Sequence, residues 1–160
     1  MPQAPLLRTS PDAVDMSPAP IDPSWIVEGN PMARVGPVSR GSDGLSWTDI
    51  WDCTAGRFTW HYTIDETVHI LEGGAHVVDA NGTHWDLRPG DVVTFQIGTA
   101  AHWHVPQYVR KIAFCREAVS GPITAFMRIE GKLRRRAKPL AAAAAGLFAM
   151  TVAAGVIAVE

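Results

Sequence analysis

The feature that most constrains this chain is its punctuation. Between Leu45 and Met127, short runs of Val, Ile, Trp, Tyr and Thr alternate with turn formers at Gly56, Gly73-Gly74, Asn81-Gly82, Pro89-Gly90, Gly98 and Pro106. Turn signals spaced about 8–12 residues apart, with no helical stripe of useful length between them, predict an all-β sandwich or barrel. Asn81-Gly82 predicts a type I′ hairpin, whose two central residues both need positive φ. In Pro89-Gly90-Asp91 the glycine admits positive φ and the aspartate caps the turn.

The flanks have a different character. Eight of the 12 prolines lie in residues 1–40, and proline removes a backbone donor and disfavours helix and central strand. Residues 1–22 are therefore expected to be a disordered Pro-rich arm. Trp25, Ile26 and Val27 are apolar enough to dock, so the β-barrel unit is drawn as 23–122, with 23–45 as an irregular docking arm. The first residues, MPQAPLLRTSPDAVD, lack the basic and apolar regions of a secretory signal. Residues 123–138 read as a linker ending in the basic cluster KLRRRAK. Residues 139–159, PLAAAAAGLFAMTVAAGVIAV, carry no charge. At about 1.5 Å per residue they reach across a hydrocarbon core of about 30 Å. The expectation is a C-terminal transmembrane α-helix; a buried or interfacial Ala-rich helix is the alternative. The basic flank then places the barrel on the cytoplasmic side of the inner membrane, as a single-pass protein. A formal net charge of −2 supplies no global field for nucleic acid, so none is expected as a partner. Cys53 and Cys115 are too few for a disulfide scaffold and read as reduced packing residues.

Strand parity governs where chemistry can sit, because alternate side chains share a face. If His61 points into the barrel, so do Thr59 and Thr63, and Phe58, Trp60 and Tyr62 point out. A turn through Ile64-Asp65 then lets Glu66 point inward with Val68 and Ile70. One imidazole and one carboxylate facing a small cavity are half of a transition-metal site, or a hydrogen-bonded pair in a polar pocket. Arg110-Lys111 places one cation inside and one outside, and period 2 alone does not say which. His69, His76 and His84 read as exposed face residues. Cys53 has no nearby base to make it a nucleophile.

Several phrases in order, WDCTAGRFTWHY, DETVHILEG, LRPGDVVTF and WHVPQYVRKIAFC, span about residues 25–117. They resemble the cupin superfamily, in particular the small single-domain group related to the cupin domain of (S)-ureidoglycine aminohydrolase and to ethanolamine-utilisation cupins. The resemblance implies a small double-stranded β-helix, a jelly-roll-like barrel with a central pocket, usually in a homodimer. Family metal sites generally use two histidines and a glutamate from a first motif and one histidine from a second. Carried onto this chain, the glutamate is Glu66, the first-motif histidines fall on Thr59 and His61, and the second-motif histidine falls on Ala101. Two of the four ligands are thus replaced, and His102 is one residue out of register, which in a strand turns it to the other face. Trp103 shares the face of Ala101. The candidate metal ligands are His61, Glu66 and His102, for a divalent transition metal such as Mn, Fe or Ni. The candidate ligand pocket is Thr59, His61, Glu66, Trp103 and Lys111. Three functions compete. The first is a membrane-tethered cupin binding a small polar metabolite at a degenerate metal site. The second is a metal-dependent enzyme on a small nitrogenous or carboxylate metabolite. The third is an interaction module that dimerises through Phe58, Trp60 and Tyr62.

Overall fold

The strands follow the punctuation. The computed structural model describes residues 6–119 and residue 121, and among them nine strands form. They are β1 (Ser17–Pro18), β2 (Ile26–Gly29), β3 (Ala33–Arg40), β4 (Ser46–His61), β5 (Asp65–Gly73), β6 (Ala75–Val78), β7 (His84–Leu87), β8 (Val92–Phe95) and β9 (Ala100–Arg116). Clustering of contacts divides the chain into two units, Met1–Ala118 and Val119–Glu160; the first is the β unit described here. The expected linker 123–138 and apolar segment 139–159 lie outside the described residues. Among the described residues, no helix is long and apolar enough to cross a membrane.

All pairings are antiparallel, and two long strands organise them. β4 and β9 run side by side, from Ser46 opposite Arg116 to His61 opposite Ala100. The first half of β4 and the last half of β9 continue one sheet half, in the order β1-β3-β4-β9-β5-β8. The second half of β4 and the first half of β9 carry the other, where β2 joins β4 and the β6–β7 hairpin joins β9. Side chains from both halves meet in one core that includes Trp51, Cys53, Phe58, Tyr62, Val68, Ile70, Val77, Trp103, Val105 and Val109. This is the all-β, jelly-roll arrangement expected from the sequence.

A register shift between Thr54 and Gly56 sets the orientation of everything after it. Before it, the inward residues of β4 include Trp51 and Cys53; after it they are Phe58 and Trp60, with Tyr62 continuing the same face just past the strand. An irregularity of this kind exchanges the two faces of a strand. Gly56 sits at the break, where an added Cβ would lie 2.8 Å from the Pro31 ring.

Two expectations need revision. Residues 6–22 are not disordered: Pro18 pairs with Arg34 at a sheet edge, Ile21 is buried, and Asp12 accepts from Arg110 Nη1 at 2.7 Å. An edge strand needs few donors, so the prolines that argued against order are compatible with it. Residues 1–5 lie outside the described residues. At Asn81-Gly82 the hairpin forms but not as type I′, since only Gly82 has positive φ, +79°. Instead Asp79 holds the turn, its carboxylate accepting from the backbone N–H of Asn81 at 2.8 Å and Thr83 at 3.0 Å and from Trp85 Nε1 at 3.1 Å. The Pro89-Gly90 turn matches its sequence: Gly90 has φ +98°, and Asp91 accepts from Arg88 N–H.

Candidate functional site

The polar centre of the core is an ion pair. Glu66 is an inward residue of β5, and Lys111 an inward residue of β9. Lys111 Nζ donates to Glu66 Oε1 at 2.5 Å, and the two side chains are only 6% and 8% exposed. The period-2 ambiguity at Arg110-Lys111 is thereby resolved, with Lys111 inside and Arg110 held outside by the arm through Asp12 and the Pro11 carbonyl.

Aromatic rings wall the pair. Lys111 Nζ lies 4.9 Å from the Trp51 ring centre and 5.3 Å from that of Trp103, within the range of cation–π attraction. Trp103 Nε1 donates to Tyr62 Oη at 3.1 Å. Tyr62 stacks on Phe95 with ring centres 4.4 Å apart, and Phe58 stacks on Trp103 at 6.2 Å. Burial pushes the Tyr62 phenol well above its ordinary pKa, and the nearby Glu66 charge adds to the effect. Burial likewise pushes the thiols of Cys53 and Cys115 up to about 12. Both stay protonated at neutral pH, which removes the thiolate that nucleophilic or ligand chemistry needs.

The remaining sequence-predicted residues lie elsewhere. After the register shift, Thr59 and His61 face outward, and the His61 ring packs 5.1 Å from that of Trp25. His102 is exposed and shares a 2.9 Å hydrogen bond between its Nδ1 and Thr59 Oγ1. The structure therefore brings Glu66, Lys111 and Trp103 together and leaves Thr59, His61 and His102 on the opposite surface. The ligand set His61, Glu66 and His102 is split across a strand. Among the described residues, no three His, Cys, Asp or Glu side chains are grouped to hold a metal. The interior donors do not fit the metal that the cupin resemblance implies. Ala101 is buried and offers no donor, and Glu66 is already neutralised by an ammonium.

Trp51 and Tyr62 were missed as interior residues, and Trp60 as an inward one. The signal was present: in an alternating strand of a closed barrel the apolar members face the core, and in residues 58–63 those are Phe58, Trp60 and Tyr62. By the same correction, these aromatics are not an outward dimer face. Trp60 packs against Trp25, Trp51 and Phe58, with ring centres 5.4, 5.8 and 6.3 Å away.

Comparison with known proteins agrees with this architecture. Residues 40–113 match the EutQ-like cupin domain. A Pseudomonas syringae pv. tomato protein of unknown function in the DUF861 family superposes with a TM-score of 0.59 at 24% identity, covering 64% of this chain and 45% of that one. This chain thus spans less than half of that protein's length. A cupin 2 conserved barrel domain protein from Rhodopseudomonas palustris superposes with a TM-score of 0.55 at 12% identity, covering 71% of this chain and 80% of that one. A predicted oxalate decarboxylase from Thermotoga maritima gives a TM-score of 0.54 at 12% identity, over 71% and 99% of the two chains. At these identities the superpositions show the fold alone. No curated protein matches the sequence. The domain model, the strand topology and the inward aromatic core agree: the β unit has the cupin fold, and residues 40–113 within it are similar to the EutQ-like cupin domain.

Proposed function

We propose that this cupin binds a small polar metabolite inside the barrel, using the Lys111–Glu66 pair where a metal-dependent cupin would use an ion. The observation that carries the reading is the buried ion pair itself. Two charges taken out of water are poor stabilisers, because desolvation offsets most of their attraction. A cation and an anion side by side among aromatic walls do suit recognition: the ammonium donates to an acceptor on the ligand, and the carboxylate accepts from a donor. Trp51, Trp103 and Tyr62 would cover an apolar portion. A small carboxylate or amide with an adjacent N–H or O–H has this chemistry. The same reading tethers the domain to a membrane through residues 139–159, supported by that uncharged sequence and the basic cluster before it.

The test is a panel of small carboxylates, amides and ureido compounds, read by thermal shift and then calorimetry on the full chain. A hit should bind the unaltered protein and be lost in Lys111→Met, with Glu66→Gln weakened in proportion to the donors the ligand carries. Binding retained in Lys111→Met would reject the interior site.

A further inference from the structure

The outer surface of the β2-β4-β9-β6-β7 half holds a cluster of histidines that the barrel chemistry does not use. His76 stands directly opposite His104 in the β6–β9 pairing and opposite Asp86 in the β6–β7 pairing. One position along, Val78 stands between His102 on β9 and His84 on β7. All four imidazoles line one concavity of about 420 Å³, bordered by Val27 and Arg57 and floored by Phe58, Val78 and Trp103. Four of the chain's six histidines thus share one face, on the side of the sheet opposite Lys111 and Glu66.

We propose that His76 and His104 form a surface site for one divalent transition ion of borderline softness, Zn²⁺, Ni²⁺ or Cu²⁺. Imidazole is a preferred ligand for these ions. The two ring centres are 5.5 Å apart and tilted by 32°. Metal–nitrogen bonds of about 2.0–2.1 Å put the centres of two rings that share an ion roughly 5 Å apart. Small side-chain rotations therefore suffice. His76 Nδ1 is hydrogen-bonded to Asp86 Oδ1, the usual carboxylate–histidine support of a metal ligand, which leaves Nε2 as the nitrogen to bind the ion. Since no three ligating side chains are already grouped among the described residues, water completes the shell. The neighbouring cation, Arg57, is turned toward Glu28, with Nε 3.1 Å from its carboxylate.

The two ligands of this site lie apart from the Lys111–Glu66 pair, so the two proposals stand or fall independently. The test is isothermal titration of the untagged full chain with Ni²⁺ and Zn²⁺, with Cu²⁺ spin resonance to count coordinated nitrogens. One ion per chain and at least two nitrogens are expected, with tighter binding at pH 7.5 than at pH 5.5 because protons compete for imidazole. His76→Ala and His104→Ala should each weaken binding at least ten-fold. Asp86→Asn should weaken it by about 10–100-fold through loss of orientation. His69→Ala, on the other sheet half opposite Val92 and Ile112, should leave it unchanged. His104→Gln serves if the alanine variant fails to fold by circular dichroism. No ion bound by the unaltered chain, or affinity unchanged in the His76→Ala/His104→Ala double variant, would overturn the site.

Discussion

Replacing Lys111 by methionine separates two roles that the buried pair could have. The ammonium is 6% exposed and its partner carboxylate 8%, so the variant leaves a carboxylate in a wall of Trp51, Trp103 and Tyr62 with no cation beside it. Removing one member of a buried pair costs about 3–5 kcal/mol, a large share of the 5–15 kcal/mol that holds a typical domain together. The cation–π contacts with Trp51 and Trp103 are lost as well, at about 0.5–2 kcal/mol. Converting both residues, as Lys111→Met with Glu66→Leu, removes both desolvation penalties and keeps roughly the same volume. The double variant should then be as stable as the parent, or about 1–4 kcal/mol more stable. Urea unfolding followed by tryptophan fluorescence measures each species, and a double-mutant cycle isolates the coupling. If the double variant is less stable than the parent, the pair is a net stabiliser. Its retention would then no longer argue for ligand recognition.

Other consequences are direct. Cys53 and Cys115 are free, buried and held protonated by burial, so a thiol reagent at pH 8 should label neither until denaturant is added; rapid labelling of the native protein would contradict the packing. Because their folded pKa values of about 12 lie above the unfolded value of 9.0, that contribution is intact below pH 9 and is lost as pH rises further. At the acid end, Asp65 is held low by the N–H of Ile97 and by Arg116, and Asp79 by the N–H of Thr83 and by Trp85. Their contribution is complete above about pH 4 and falls away as pH drops through the lowered values, so Tm should decline below pH 4, and less steeply in Asp79→Asn. Gly73→Ala should lower stability by more than 1 kcal/mol, because Gly73 has φ +68° and an added Cβ would collide with the Tyr108 carbonyl.

The strand positions were legible because turn chemistry is local: Gly73-Gly74, Pro89-Gly90 and Gly98 end strands by backbone geometry that neighbouring residues alone determine. The inward parity of Glu66, Val68, Ile70, Ala101 and Trp103 was legible too, since each lies on a stretch without a register break. What was not legible is the shift between Thr54 and Gly56. It depends on the pairing of β4 with β9 some fifty residues away and on Pro31 packing over Gly56, neither of which leaves a local mark. That one irregularity turned His61 and Thr59 outward and brought Tyr62 and Trp60 in.

The consequence for the site is larger than one misplaced residue. With His61 outside, no imidazole faces the core among the described residues, and the ion pair there with both partners buried is Lys111 with Glu66. A carboxylate that in a metal cupin would face a cation of charge two here faces an ammonium of charge one, fixed by a covalent stem. Such a cation neutralises the carboxylate without offering open coordination positions, which is why recognition by hydrogen bonds, rather than activation of water, is the function proposed for it. His102 joins His76, His84 and His104 around a concavity on the β2-β4-β9-β6-β7 half, so four of the six imidazoles in this sequence gather away from the Lys111–Glu66 pair.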